Sequence, residues 1–148
     1  ENATPKIIFQ PKLRLDSYVT RLQPNAAIAD GVNVIGNYAY EIDSKFAQNQ
    51  SDVVAMNQIV ELYKLVEMPN GQYFLSNGNI IVTFKDNKAS KNLEQEFGLQ
   101  TIKQFNELNM IVYRANSFSE LERLIESISA REEVDYVELD LINPYLAN

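Results

Sequence analysis

The run Ile80-Ile81-Val82-Thr83-Phe84 is β-branched and aromatic throughout and follows the turn pair Asn77-Gly78, so it predicts a strand at the middle of the chain. The residues after that strand restrict the fold further. Ser90 stands where a helix cap is needed, Leu93 and Phe97 share one helical face, and Gly98 supplies a stop. Residues Leu99 to Phe105 then alternate, Asn106-Glu107-Leu108-Asn109 turns, and Met110 to Tyr113 reads as a further strand. Ser117 and Glu120 have capping-box spacing ahead of Leu121, Leu124, Ile125 and Ile128, which recur at i, i+3, i+4 and i+7. Val134 to Leu139 closes the series as a last strand. The β-α-β-β-α-β order predicts an α+β fold of the ferredoxin-like, split βαβ type: an antiparallel sheet with two helices on one face, plus an N-terminal extension.

The first 77 residues are less periodic. Asp52 can cap a helix whose stripe is Val53, Met56, Ile59, Val60 and Tyr63, running to about Leu65. Leu65 to Met68 and Gln72 to Leu75 flank Pro69-Asn70-Gly71, the pattern of a hairpin. Lys6 to Phe9 and Val32 to Ile35 are short strand candidates. The expected organisation is an N-terminal extension over 1–77 that packs on the core, a βαββαβ domain over 78–140, and an extended tail over 141–148.

Composition removes several functional classes. A net charge of -7 on 148 residues repels phosphate backbones and anionic lipid heads, so neither nucleic acid nor a membrane surface is an expected partner. Cysteine and histidine are both absent, which excludes Ser-His and Cys-His nucleophilic pairs and a zinc site of the nitrogen and sulfur type. Glycine-rich phosphate loops, G-x-S-x-G and calcium-loop patterns are missing too. The expectation is a binding protein, not an enzyme, with no cofactor and no metal. The opening Glu1-Asn2-Ala3-Thr4 lacks Met, as in a mature secreted or periplasmic protein, and equally as in a trimmed one.

Two features point to a protein partner. The segment Leu141-Ile142-Asn143-Pro144-Tyr145-Leu146-Ala147-Asn148 is apolar and uncharged and has no element of its own to pack against, so it suits another protein's groove. Fully extended, it would reach on the order of 26 Å. The second feature is the acidic cluster Glu132, Glu133, Asp135, Glu138 and Asp140, by default a solvated face.

Gly78-Asn79-Ile80-Ile81-Val82-Thr83-Phe84-Lys85 and Val134-Asp135-Tyr136-Val137-Glu138-Leu139-Asp140 resemble the opening and closing strands of the propeptides of subtilisin-family serine proteases, small domains that assist folding of the protease and then inhibit it. The resemblance covers 78–148. Because no protease domain follows here, the chain looks like a stand-alone propeptide equivalent serving a kexin-like protease. The resemblance implies that the sheet packs on two surface helices of the enzyme, with Glu138 and Asp140 capping their N-termini. It also implies that the tail lies in the substrate cleft like a product, with Asn148 in the primary specificity pocket, Ala147 in the second and Tyr145 in the fourth. Pro144 would pre-extend it. Asn148 departs from the basic residue that a kexin-like enzyme takes there.

The expected function is therefore an intermolecular chaperone and inhibitor of a secreted subtilisin-like serine protease. The alternative is a ferredoxin-like regulatory or small-ligand-binding module. An RNA-binding module of the same strand order is disfavoured by charge and by Met110 to Arg114, which lacks the aromatic and basic pattern that stacks bases.

Overall fold

The computed structural model describes residues 11–23, 25, 27–43, 62–85 and 93–146. Strands are Lys12–Arg21 (β1), Asn33–Ile35 (β2), Tyr38–Ile42 (β3), Tyr63–Glu67 (β4), Tyr73–Phe84 (β5), Gln100–Phe105 (β6), Met110–Arg114 (β7) and Val134–Ile142 (β8); helices are Leu93–Phe97 (α1) and Leu121–Ser129 (α2). All the strands belong to one eight-stranded sheet, ordered β2-β3-β1-β4-β5-β7-β6 with β8 also on β5. Every pairing is antiparallel.

This is not the ferredoxin-like split βαβ sandwich expected from the sequence. The helices are short, 5 and 9 residues, and the sheet runs through the N-terminal region as well as the C-terminal one. The reason lies in β5, whose 12 residues exceed the length needed for one set of neighbours. Ser76 pairs with Lys64 of β4 on one side and Leu141 of β8 on the other, while Ile80 pairs with Tyr113 of β7 and Leu139 of β8. Thus β4 and β7 follow one another along the same edge, and β8 runs along the other. The expected boundary at residue 78 falls inside this strand.

Alternation along β5 gives each face of the sheet its own core. Ile80, Val82 and Phe84 point to the helices and pack with Ile111, Tyr113, Leu93, Leu121, Leu124 and Ile128. Leu75 points the other way and packs with Val19, Ile35, Tyr38, Tyr63 and Leu65. In this second core the Tyr38 and Tyr63 rings meet edge to face at 5.3 Å.

The β4–β5 hairpin turns at Pro69-Asn70-Gly71, where Gly71 has φ +86 and Asn70 Oδ1 accepts the Gln72 N–H at 3.0 Å. Tyr63 to Leu65, expected as the end of a helix, is instead strand β4, because Tyr63 and Leu65 fill the second core. The remainder of that helix from Asp52, the strand at Lys6 to Phe9 and the Ser90 cap lie outside the described residues. Ser117 makes no side-chain capping bond; a 3-10 turn over Phe118–Glu120 leads into α2 instead.

Strand β1 has no counterpart in the sequence reading, since its apolar alternation is broken. Leu15 is exposed while Ser17 is fully buried, and the register with β4 shifts between Arg14 and Val19. The Ser17 hydroxyl repairs the irregularity by donating to the Arg14 carbonyl at 2.6 Å and accepting the Leu65 N–H at 2.9 Å. Lys64, also buried, donates from Nζ to the Ser17 carbonyl at 2.8 Å.

The second core is closed off by the C-terminal segment. The Asn37 N–H donates to the Pro144 carbonyl at 3.1 Å, tying the β2–β3 turn to the end of β8. Gly36, at φ +55, lies against it so closely that a Cβ would meet the Pro144 oxygen at 2.1 Å. Gly36→Ala should therefore cost at least about 2 kcal/mol in urea unfolding, from both the left-handed backbone and the clash. Ser17→Ala should cost about 1–3 kcal/mol, because a buried Leu65 N–H loses its partner.

Candidate functional site

Among the described residues, the strands β8, β5, β7 and β6 carry both helices on one face. Their other face is built from residues that share register, and it reads as three rows across the sheet. Thr83 pairs with Tyr136 and with Met110, which pairs with Phe105. Ile81 pairs with Glu138 and with Val112, which pairs with Lys103. Asn79 pairs with Arg114, which pairs with Gln100, and Asp140 lies at the β8 end of that row. On this face Val112 is buried at 8%, while Ile81, Met110 and Phe105 are partly buried. The result is a largely buried apolar strip with carboxylates on β8 to one side and cations on β7 and β6 to the other.

The charges on this face differ in their setting. Glu138 is exposed. Asp140 is half-buried, and desolvation raises its carboxyl above the usual 3.8, against a smaller lowering by a hydrogen bond with Asn79. Asn79 in turn accepts from Arg114 Nε at 2.8 Å, so one polar chain crosses β7, β5 and β8. Lys103 is exposed and its Nζ lies 4.9 Å from the centroid of the Phe105 ring.

The C-terminal segment adjoins the site, but its first two residues are paired in the sheet and Asn143 to Leu146 turn, the Leu146 N–H donating to the Asn143 carbonyl at 3.3 Å. Leu141 and Ile142 lie within β8, paired with Ser76 and Leu75, and each packs against one of the two cores. Pro144 is buried, while Tyr145 and Leu146 are exposed at 69% and 63%. Asn143 shapes this exit, its Oδ1 accepting the Tyr145 N–H at 3.0 Å. Ala147 and Asn148 lie outside the described residues. Beside the exit is a cleft of about 310 Å³ lined by Val34, Ile35, Tyr40, Gly71, Gln72, Tyr73, Phe74, Asn143 and Tyr145. Tyr40 and Tyr73 meet edge to face there at 5.7 Å, and desolvation, then Tyr73 and Tyr145, raise the Tyr40 hydroxyl above its usual range.

The sequence singled out Glu138 and Asp140, and the structure puts them two residues apart on the same face. It did not single out Ile81, Met110, Val112, Lys103 or Phe105. Alternation along each strand was the available signal; the register that assembles these residues into rows was not. No group of acidic, histidine or cysteine residues able to hold a metal occurs among the described residues. Nor is any described helix long and apolar enough to cross a membrane.

The chain belongs to the family described as the open reading frame 2 N-terminal domain, whose model matches residues 34–145. This overturns the resemblance to subtilisin propeptides: the match is to a different family, and it extends well into the region that the resemblance left uncovered. No curated protein and no solved structure matches the chain.

The Asp140 environment gives a pH test. A carboxyl whose folded-state pKa is raised opposes folding once ionised, so its penalty is absent below pH 3.8 and grows as pH rises through the folded-state value. Asp140→Asn should therefore raise the melting temperature at pH 7 by about 1–2 °C, kept small by solvent screening. The difference from wild type should vanish near about pH 3, as scanning calorimetry would measure.

Proposed function

We propose that this domain is an intermolecular chaperone and inhibitor of a subtilisin-like serine protease, with the open face of β8, β5, β7 and β6 docking on surface helices of the enzyme. The observation that carries the reading is that two carboxylates, the exposed Glu138 and the half-buried Asp140, stand on one face of β8. Carboxylates suit helix N-termini, which present orphan N–H groups and the positive end of the dipole. Alternate residues on a strand are roughly 7 Å apart, close to the 8–10 Å between packed helices, so the pair suits two neighbouring helix ends. A preformed sheet would order those helices in the nascent enzyme at low entropic cost.

Inhibition is assigned to the segment after Pro144. Anchoring of the Pro144 carbonyl by Asn37 sets where the segment leaves the domain, and Tyr145 and Leu146 are already exposed there. They and the following Ala147 and Asn148 would enter the substrate cleft. The tyrosine-lined cleft favours a second reading, a regulatory module that binds a small ligand.

The deciding experiment measures refolding yield and peptide hydrolysis for a panel of subtilisin-like proteases, kexin-like enzymes included. Deleting Tyr145–Asn148 should abolish inhibition and leave binding within about tenfold, since the sheet contact is retained. Ile81→Asp, on the open face, should reduce both refolding and binding. Unchanged inhibition by the shortened chain would reject the role of the segment; wild-type protein without effect on any member would reject the protease reading and favour the small-ligand one.

A further inference from the structure

The cleft beside the C-terminal exit is uncharged in a chain where 22% of residues are charged, since none of the side chains that line it is ionic. A ligand with a full charge would shed water there without a counter-ion, so the cleft favours a neutral one. Its walls are aromatic: Tyr40 comes from β3, Tyr73 and Phe74 from the start of β5, and Tyr145 from the segment after β8. Polar groups complete them. The three phenols can each donate and accept, and desolvation keeps the Tyr40 hydroxyl protonated to a higher pH than usual. The Gln72 Oε1 accepts from Asn70 Nδ2 at 3.0 Å and the Asn143 Oδ1 from the Tyr145 N–H at 3.0 Å, which leaves both NH2 groups as donors.

We propose that this cleft is a carbohydrate site, taking a neutral sugar ring with its C–H face on the tyrosines and its hydroxyls on the phenol and amide groups. The C–H groups of a sugar carry slight positive charge and suit the negative face of an aromatic ring, while its hydroxyls donate and accept as the phenols do. The planes of Tyr40 and Tyr73 stand 63° apart, so this pair is not the parallel slot that a planar base fills. A puckered ring with substituents in several directions suits walls that meet at an angle. An organic cation would also use the ring faces, but no carboxylate lines the cleft to pair with it. The volume of about 310 Å³ is at the lower end of ligand pockets and has room for about one or two sugar rings. The inference rests on the small-ligand reading given above, names the ligand's class, and is independent of the docking face.

The test titrates the full chain with glucose, galactose, N-acetylglucosamine, maltose, lactose and chitobiose while amide signals are followed by NMR, with adenosine and tetramethylammonium as comparators. At least one sugar should give saturable shifts at Tyr40, Gln72, Tyr73 and Tyr145, with a Kd of about 1–10 mM, and leave Tyr136 to Asp140 unmoved. Tyr145→Ala, at a residue 69% exposed and so not needed for folding, should weaken binding at least about fivefold. Tyr40→Phe, which keeps the ring and removes only the hydroxyl, should weaken it about two- to fivefold. Sugar binding unchanged by both substitutions, or shifts confined to other residues, overturns the inference. Saturable binding of adenosine or tetramethylammonium with no sugar bound at about 100 mM overturns the carbohydrate class and leaves the small-ligand reading standing. Absence of binding by every probe removes both.

Discussion

Strand β5 is the constraint on which the rest of the structure depends. Its two edges hold β8 on one side and β4 followed by β7 on the other, so all three neighbours need it for their register. Its two faces serve different cores, since residues of even number from Phe74 to Phe84 look toward the helices and those of odd number look away. Between the halves, Gly78 at φ +94 takes a conformation costly for any L side chain, and its carbonyl accepts the Ala115 N–H at 3.0 Å. A slip of one residue in β5 would exchange the residues of the helix side with those of the opposite side along the whole strand at once.

That arrangement leaves the sheet stable on both sides of β5. The helix-side core and the second core bury the larger side chains and hold the strands from both directions. The Ile81 face, on the side away from the helices, is mostly buried at Val112 and Asn79 and carries charge at its borders, which limits aggregation. The connection between the cores is polar as well as apolar: the buried Lys64 ammonium bonds the Ser17 carbonyl on β1 and lies 5.9 Å from the Phe118 ring of the helix-side core. Asp140 sits at the opposite limit, ionisable in a half-buried setting whose cost a partner's N–H groups would offset. Under the proposed function, a half-buried charge is thus placed where binding supplies its hydrogen bonds.

Closure by Pro144 links stability to the proposed inhibitory segment. The Asn37 bond and the close approach of Gly36 hold the chain to the second core up to Pro144, and only Tyr145 and Leu146 stand clear among the described residues. A segment that leaves a rigid exit loses less entropy on entering a cleft than one free from Leu141 onward.

Much of the local structure was legible in the sequence because it depends on local chemistry. The β-branched run at Ile80 to Phe84, the hairpin at Pro69-Asn70-Gly71 and the stripe Leu121, Leu124, Ile125 and Ile128 are decided by residues within a few positions of one another, and the glycine stop after α1 is of the same kind. The architecture was not legible in this way. Nothing near Ser17 in the chain announces a strand, because its partners, Leu65 and Lys64, are some 48 and 47 residues away. The ferredoxin-like expectation treated the C-terminal elements as complete, while long-range pairing of β5 with β4 joined the N-terminal strands to the same sheet. Likewise, the sequence by itself determined that Glu138 and Asp140 share a face of one strand, as a period of two requires. Only the tertiary structure decided what lies opposite them, since the row through Ile81 and Val112 to Lys103 exists through hydrogen-bond register between strands distant in sequence.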